Sequence, residues 1–327
     1  MRKFLIFYIA LMLSALPTAS EAATKKSHKH VATNSKHKYV HTQSGNMRVH
    51  YRLRAHKTAA VYADTYDGSA SLHLASAKAL VINQLTGETV FAKNINQSTP
   101  IASVTKLMTA MVMLDAHLPM DEVINISDED VDYLKGTHSR LSVGTGLTRG
   151  ELLQMALIAS ENRAAAALGR NYPGGITAFV SAMNHKAEML GMRSTHFVDS
   201  SGLNSSNVST AEDLAKMVNA AYHYPEIRQV TTTASQEITP YGRANPIHFV
   251  NTNALVRGSN WSIGLSKTGF INEAGRCLVM QAEISGQPMI IVLLDSVGKQ
   301  TRIGDANRIR KWVEYNDANS LGAKVSG

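Results

Sequence analysis

The chain has 327 residues, 44% of them hydrophobic, enough apolar material for one large or two modest cores, which excludes a disordered scaffold. Its single cysteine, Cys277, excludes an internal disulfide and a Cys-based zinc or iron–sulfur site. The balance of 33 basic against 25 acidic residues does not make a nucleic-acid binder, because residues 1–63 hold 11 Lys and Arg with one acid, Glu21, leaving 22 basic and 24 acidic residues in the rest.

In chain order the first element is a leader. Arg2 and Lys3 precede an apolar run of 13 residues, 4–16, and Pro17 leads to Ser20-Glu21-Ala22, a small-x-small pattern that predicts cleavage after Ala22. The run is short of the ~20 residues a bilayer-spanning helix needs, and no later segment repeats it, so no transmembrane anchor is expected and residues 1–22 read as a signal peptide of an exported, soluble protein. Residues 23–58 then carry nine Lys and Arg, six His (28, 30, 37, 41, 50 and 56) and no acid. With few aliphatics and little periodicity, the stretch to residue 70 reads as a flexible basic tail. The irregular His spacing suits a solvated spacer better than a metal site, and the active role it suggests is electrostatic contact with an anionic envelope polymer.

The ordered body is expected over 71–318, starting near Ala75, with 319–327 as a flexible end. Residues 79–83 and 89–92 flank Thr86-Gly87-Glu88 and read as a hairpin. Residues 102–117 are apolar on nearly all sides and stop before Pro119, which predicts a buried helix. Thr148 with Glu151 forms a capping box for another. Further helices are expected over 175–190 and, from Thr210 with Asp213, over 211–223. The period then changes: 261–271, 276–284 and 288–294 read as a meander of three strands, closed by an amphipathic helix over 302–315. Strands at both ends around a helical middle predict an α+β fold, an antiparallel sheet flanked by helices with an inserted all-helical region.

Three short motifs carry chemistry. S-x-x-K occurs at 35–38, 103–106 and 296–299; in the copy that opens the buried helix, Ser103 and Lys106 share a face, so the amine can reach the hydroxyl. A serine hydroxyl needs a base, and a lysine supplies one if burial and a neighbouring cation lower its pKa. The alternative is a capping serine and a snorkelling lysine. S-x-N occurs at Ser44, Ser160 and Ser205; Ser160-Glu161-Asn162 lies between two apolar helical stretches, where the Asn162 amide can bind a carbonyl or Lys106 and Ser160 can pass a proton, unless the pair merely caps and turns the chain. K-T-G occurs once, at Lys267-Thr268-Gly269, inside a strand pattern. Gly269 would let a backbone approach closely, and Lys267 with Thr268 suit a carboxylate; the alternative is a bulge with a solvent-facing lysine.

The three motifs, in this order and these settings, resemble the penicillin-recognising serine transpeptidase and class A β-lactamase set. The stretches 80–93, 102–109, 141–145, 197–203 and 265–269 are similar to the D-alanyl-D-alanine peptidase branch, the low-molecular-mass penicillin-binding proteins, over roughly residues 76–315. Glu161-Asn162-Arg163-Ala164 matches the endopeptidase group, where many carboxypeptidases carry Asn-Asp-Ala, and no extra β-domain or amphipathic anchor is read near Gly327. The resemblance implies a β-lactamase/transpeptidase-like fold and a periplasmic enzyme acting on peptidoglycan peptide stems and inhibited by β-lactams, with no metal or organic cofactor. Ser103 would be the acyl-ester nucleophile, Lys106 its proton acceptor and Ser160 a relay. Asn162, Lys267, Thr268 and Gly269 would bind substrate, and the N–H groups of Ser103 and Phe270 would form the oxyanion hole. A carboxypeptidase, a β-lactamase and a non-catalytic wall-binding protein are the alternatives; the second would need a deacylating E-x-x-L-N carboxylate, which the chain lacks, Asp199 to Asn204 being the nearest stretch.

Overall fold

The computed structural model describes residues 71–325. The chain divides into two units, Met1–Val61 and Tyr62–Gly327, and the expected signal peptide (1–22) and basic tail (23–70) lie outside the described residues.

β1 (Lys78–Asn83) and β2 (Thr89–Lys93) form the predicted hairpin, with Leu80 opposite Ala92. After β3 (Thr99–Pro100), a 3-10 turn over Ala102–Thr105 leads into α1 (Lys106–Asp115). The helix expected from residue 102 thus turns α-helical only at Lys106, because Ala102 sits at φ 49°, a value no right-handed helix contains. β4 (Val123–Asn125) pairs with β5 (Gly146–Thr148). α2 (Arg149–Ile158) starts from the predicted capping box: the Glu151 N–H donates to Thr148 Oγ1 at 3.1 Å and the Thr148 N–H to the Glu151 carboxylate at 2.8 Å. α3 (Asn162–Arg170) and α4 (Gly175–Met189) follow, then β6 (Val208–Ser209), which pairs with β3. α5 (Ala211–Ala221) is capped by Thr210, whose hydroxyl accepts the Asp213 N–H.

α6 (Pro225–Thr231), the ribbon of β7 (Ser235–Ile238) with β8 (Ile247–Val250), and the single turn α7 (Ala254–Arg257) are not foreseen from the sequence; each is too short to show a period. β9 (Ser262–Ile271), β10 (Gly275–Ile284) and β11 (Gln287–Ser296) are the predicted meander. The closing helix, α8 (Thr301–Val325), runs past Tyr315 and takes in residues 319–325, which the sequence reading leaves as a flexible end; no proline interrupts it.

The five-stranded sheet has the order β2-β1-β11-β10-β9, and every neighbouring pair is antiparallel. Both faces are covered, which explains why its inner strands read as continuous apolar runs rather than alternating ones. Ala79, Val81, Met280, Ile291 and Leu293 point to one face and pack with Ala306, Ile309 and Val313, a helical stripe on α8. Leu80, Leu265, Val279, Ile290 and Val292 point to the other face, into the core shared with α1 and α5. β9 is left as an edge strand. A Cβ at its Gly269 would lie 3.0 Å from Ile101 O and from Ser103 N, so this edge lies directly against the turn that opens α1.

Candidate active site

The Ala102–Thr105 turn and the first residue of α1 put Ser103 and Lys106 three residues apart, where side chains of a 3-10 turn nearly eclipse. Lys106 Nζ donates to Ser103 Oγ at 2.9 Å, to Asn162 Oδ1 at 2.8 Å and to the Ser201 carbonyl at 2.6 Å. The residue is fully buried, and burial lowers its pKa from 10.5 to about 7, against the Asp199 and Glu161 carboxylates, which raise it. Desolvation is the largest cause of the lowering. The neighbouring cation expected from the sequence is a second buried lysine, and the repulsion between the two weakens the ammonium form of each.

That second lysine is Lys267, on β9 and 1% exposed, so the solvent-facing alternative fails. Its Nζ donates to Ser160 Oγ at 2.9 Å and to the Thr268 carbonyl at 3.0 Å. Burial pushes its pKa well below the ordinary lysine value, and the Lys106 and Arg302 charges push the same way. Thr268 Oγ1 donates to Thr252 Oγ1 at 2.7 Å.

Local backbone explains how the S-x-N residues reach both lysines. α2 ends at Ile158 and α3 begins at Asn162, and Ser160 between them sits at φ 59°, an uncommon value for a residue with a side chain. This bend sends the Ser160 hydroxyl to Lys267 and the Asn162 carbonyl oxygen to Lys106. The Asn162 amide nitrogen donates to Thr137 Oγ1 at 3.0 Å, and Thr137 is held in turn by the Asp132 carboxylate. On the far side of Lys106, Asp199 accepts the N–H groups of Ser201, Gly202 and Asn204, shaping the turn whose Ser201 carbonyl receives the lysine. Gly202 has φ 82°, and a Cβ there would fall 2.0 Å from Ala102 O, so only glycine fits beside the Ser103 turn.

All eight residues singled out from the sequence therefore meet in one place. Ser103, Ser160, Asn162, Thr268, Gly269 and Phe270 line a cleft of about 270 Å³, while Lys106 and Lys267 lie beneath it. Thr137, Leu203, Thr252 and Arg302 complete the lining and were not picked out from the sequence. Arg302 stands at the start of α8 with Nε and Nη1 buried and without a hydrogen-bond partner among the described residues. Only its place in the closing helix was visible beforehand; nothing local points it at residues two hundred positions earlier. Chemically, a cleft with a hydroxyl on an amine that titrates near neutrality and a cationic far wall suits attack on the carbonyl of an anionic substrate.

The family model described as D-alanyl-D-alanine carboxypeptidase matches residues 64–298. The chain is 46% identical to the D-alanyl-D-alanine endopeptidase of Pseudomonas aeruginosa over 76% of its own length and 81% of that protein. It is 44% identical to the D-alanyl-D-alanine endopeptidase of Escherichia coli K12 over 74% and 78%. Among solved structures, the Streptomyces K15 DD-transpeptidase superposes with a TM-score of 0.69 at 29% identity, covering 74% of this chain and 98% of that one. The D-alanyl-D-alanine carboxypeptidase of Mycobacterium tuberculosis gives 0.67 at 27% identity, covering 75% and 93%.

Proposed function

The chain belongs to the D-alanyl-D-alanine carboxypeptidase family of serine peptidases, and on that premise we propose that it is a DD-endopeptidase that cuts the D-alanyl–diaminopimelate cross-links of peptidoglycan. The observation that carries the reading is the buried Lys106 amine, 2.9 Å from Ser103 Oγ and titrating near 7.

Ser103 Oγ attacks the carbonyl carbon of the D-alanine in the cross-link while Lys106, in its neutral form, takes the hydroxyl proton. The charge that forms on the carbonyl oxygen is met by the N–H groups of Ser103 and Phe270, on the two backbones that Gly269 lets approach. As the C–N bond breaks, the proton taken up by Lys106 passes through Ser160 to the departing amine, which restores the neutral lysine. Water then adds to the ester, the acyl–oxygen bond breaks, and the peptide acid leaves with Ser103 restored. Lys267, Thr268 and Arg302 hold the α-carboxylate on the D-centre of diaminopimelate. Burial and the Lys106 and Arg302 charges disfavour the Lys267 ammonium, and an arriving carboxylate supplies the missing counter-charge. Asn162 orients the substrate and steadies Lys106. β-lactams acylate the same serine.

The endopeptidase choice is supported by the two relatives of that name and by the Glu161-Asn162-Arg163-Ala164 stretch. The periplasm is its proposed place, with residues 1–22 as the exported leader and 23–70 as an electrostatic contact to anionic envelope polymers; no helix among the described residues is long and apolar enough to cross a membrane. Mass spectrometry of cross-linked muropeptides tests the reading: dimers fall to monomers faster than pentapeptide loses D-alanine, and neither occurs with Ser103→Ala. Preferential D-alanine release makes the protein a carboxypeptidase, and rapid β-lactam turnover makes it a β-lactamase.

A further inference from the structure

Glu161 separates Ser160 from Asn162, and the reaction above makes no use of it. It is 6% exposed, which for a carboxylate requires partners. Ser139 Oγ donates to Oε2 at 2.7 Å, and Arg140 Nε donates to Oε1 at 3.3 Å. Arg140 is itself fixed twice more: Nη1 donates to the His248 carbonyl at 2.8 Å, and its guanidinium lies 4.2 Å over the Phe249 ring. The segment that grips Glu161 is also the one that receives the Asn162 amide at Thr137, and its Leu141 carbonyl accepts Arg163 Nη1 at 2.7 Å. Four side-chain contacts thus tie residues 161–163 to residues 137–141, immediately after the strained Ser160 bend.

We propose that Glu161 is a positioning residue, clamping the Ser160 bend and the Asn162 amide to Ser139 and Arg140 so that Ser160 meets Lys267 and Asn162 meets Lys106. Without the clamp, relaxation of Ser160 toward ordinary backbone angles would move both contacts at once. The charge has a second consequence. Lys106 is faced by Glu161 from the start of α3, by Asp199 from the 199–204 turn and by Lys267 from β9, with Arg302 of α8 beyond Lys267. Glu161 therefore favours the ammonium form of Lys106 and opposes burial, and its removal lowers the pH at which Lys106 becomes a base.

The proposal rests on Ser103 acylation, so the test follows adduct formation by a penicillin, read as intact mass against pH. Glu161→Gln keeps an oxygen for Ser139 and loses the charge; the rising limb of acylation should move to lower pH with the plateau within about threefold of wild type. Glu161→Ala should lower the plateau about tenfold, the scale of one charge-assisted hydrogen bond, and Ser139→Ala added to it should lose little more. An unmoved limb in Glu161→Gln, with Glu161→Ala acylating like wild type or losing only melting temperature, would overturn the role. A wild type that forms no adduct at any pH would overturn the acylation reading and this role with it.

Discussion

Two lysines sealed from solvent lie beneath one cleft, on its helical and its strand side, in different surroundings. Lys106, on the helical wall, donates to three oxygens and has the Asp199 and Glu161 carboxylates near it. Lys267, on the strand wall, donates to Ser160 and a carbonyl, and the charges it feels are the cations Lys106 and Arg302. Burial weakens the ammonium form of both, but only the first has counter-charges built into the protein. A wall with its own anions can cycle a proton near neutral pH, whereas a wall without them favours an anionic ligand.

The comparison breaks most sharply at Lys106→Arg. The charge survives and the base does not, since a guanidinium keeps its proton, so Ser103 acylation should fall about a thousandfold. In the wild type, acylation should rise as pH climbs through about 7, because below that value Lys106 is an ammonium with no capacity for the serine proton. With Lys267 as the proposed carboxylate grip, a carboxylate-bearing substrate should show the opposite trend in binding, weakening as pH rises, because only the ammonium form attracts an anion. An acyl donor without the carboxylate should lose that falling limb. Steady-state rates for the two donor types across pH check both signs.

Lys267→Met sharpens the same contrast. The carboxylate-bearing substrate should lose about a hundredfold in kcat/KM, the scale of a desolvated charge pair, and the donor without a carboxylate distinctly less. Equal losses would place the residue in proton transfer alone. Thr252→Val removes the acceptor that holds the Thr268 hydroxyl at 2.7 Å; it should raise KM about threefold, consistent with one neutral hydrogen bond. Smallest of all is Lys135→Ala. Its partner Glu273 is 43% exposed by side chain, so cutting this pair should change activity by less than about twofold, and less again in high salt.

Much of this molecule is legible in one dimension because the signals are local. The Thr148–Glu151 box, the Thr210 cap, the hairpin at 78–93 and the meander at 262–296 each write their geometry within a few residues, and the three motifs could be placed on a helix start, an interhelical bend and a strand. The short ribbons, α6 and the length of α8 were missed because two to seven residues show no period and a helix end is set by what it packs on. The meeting of the motifs is a different kind of fact. Lys106 is joined to a carbonyl 95 residues away and Ser160 to an amine 107 residues away, and Arg302 reaches the cleft only because α8 packs on the sheet whose edge carries Lys267. The sequence determined which groups were available and the local backbone that presents each. Only the tertiary structure decided that both lysines would be buried and which charges each would face, because desolvation and Coulomb energy depend on distance in space and not along the chain.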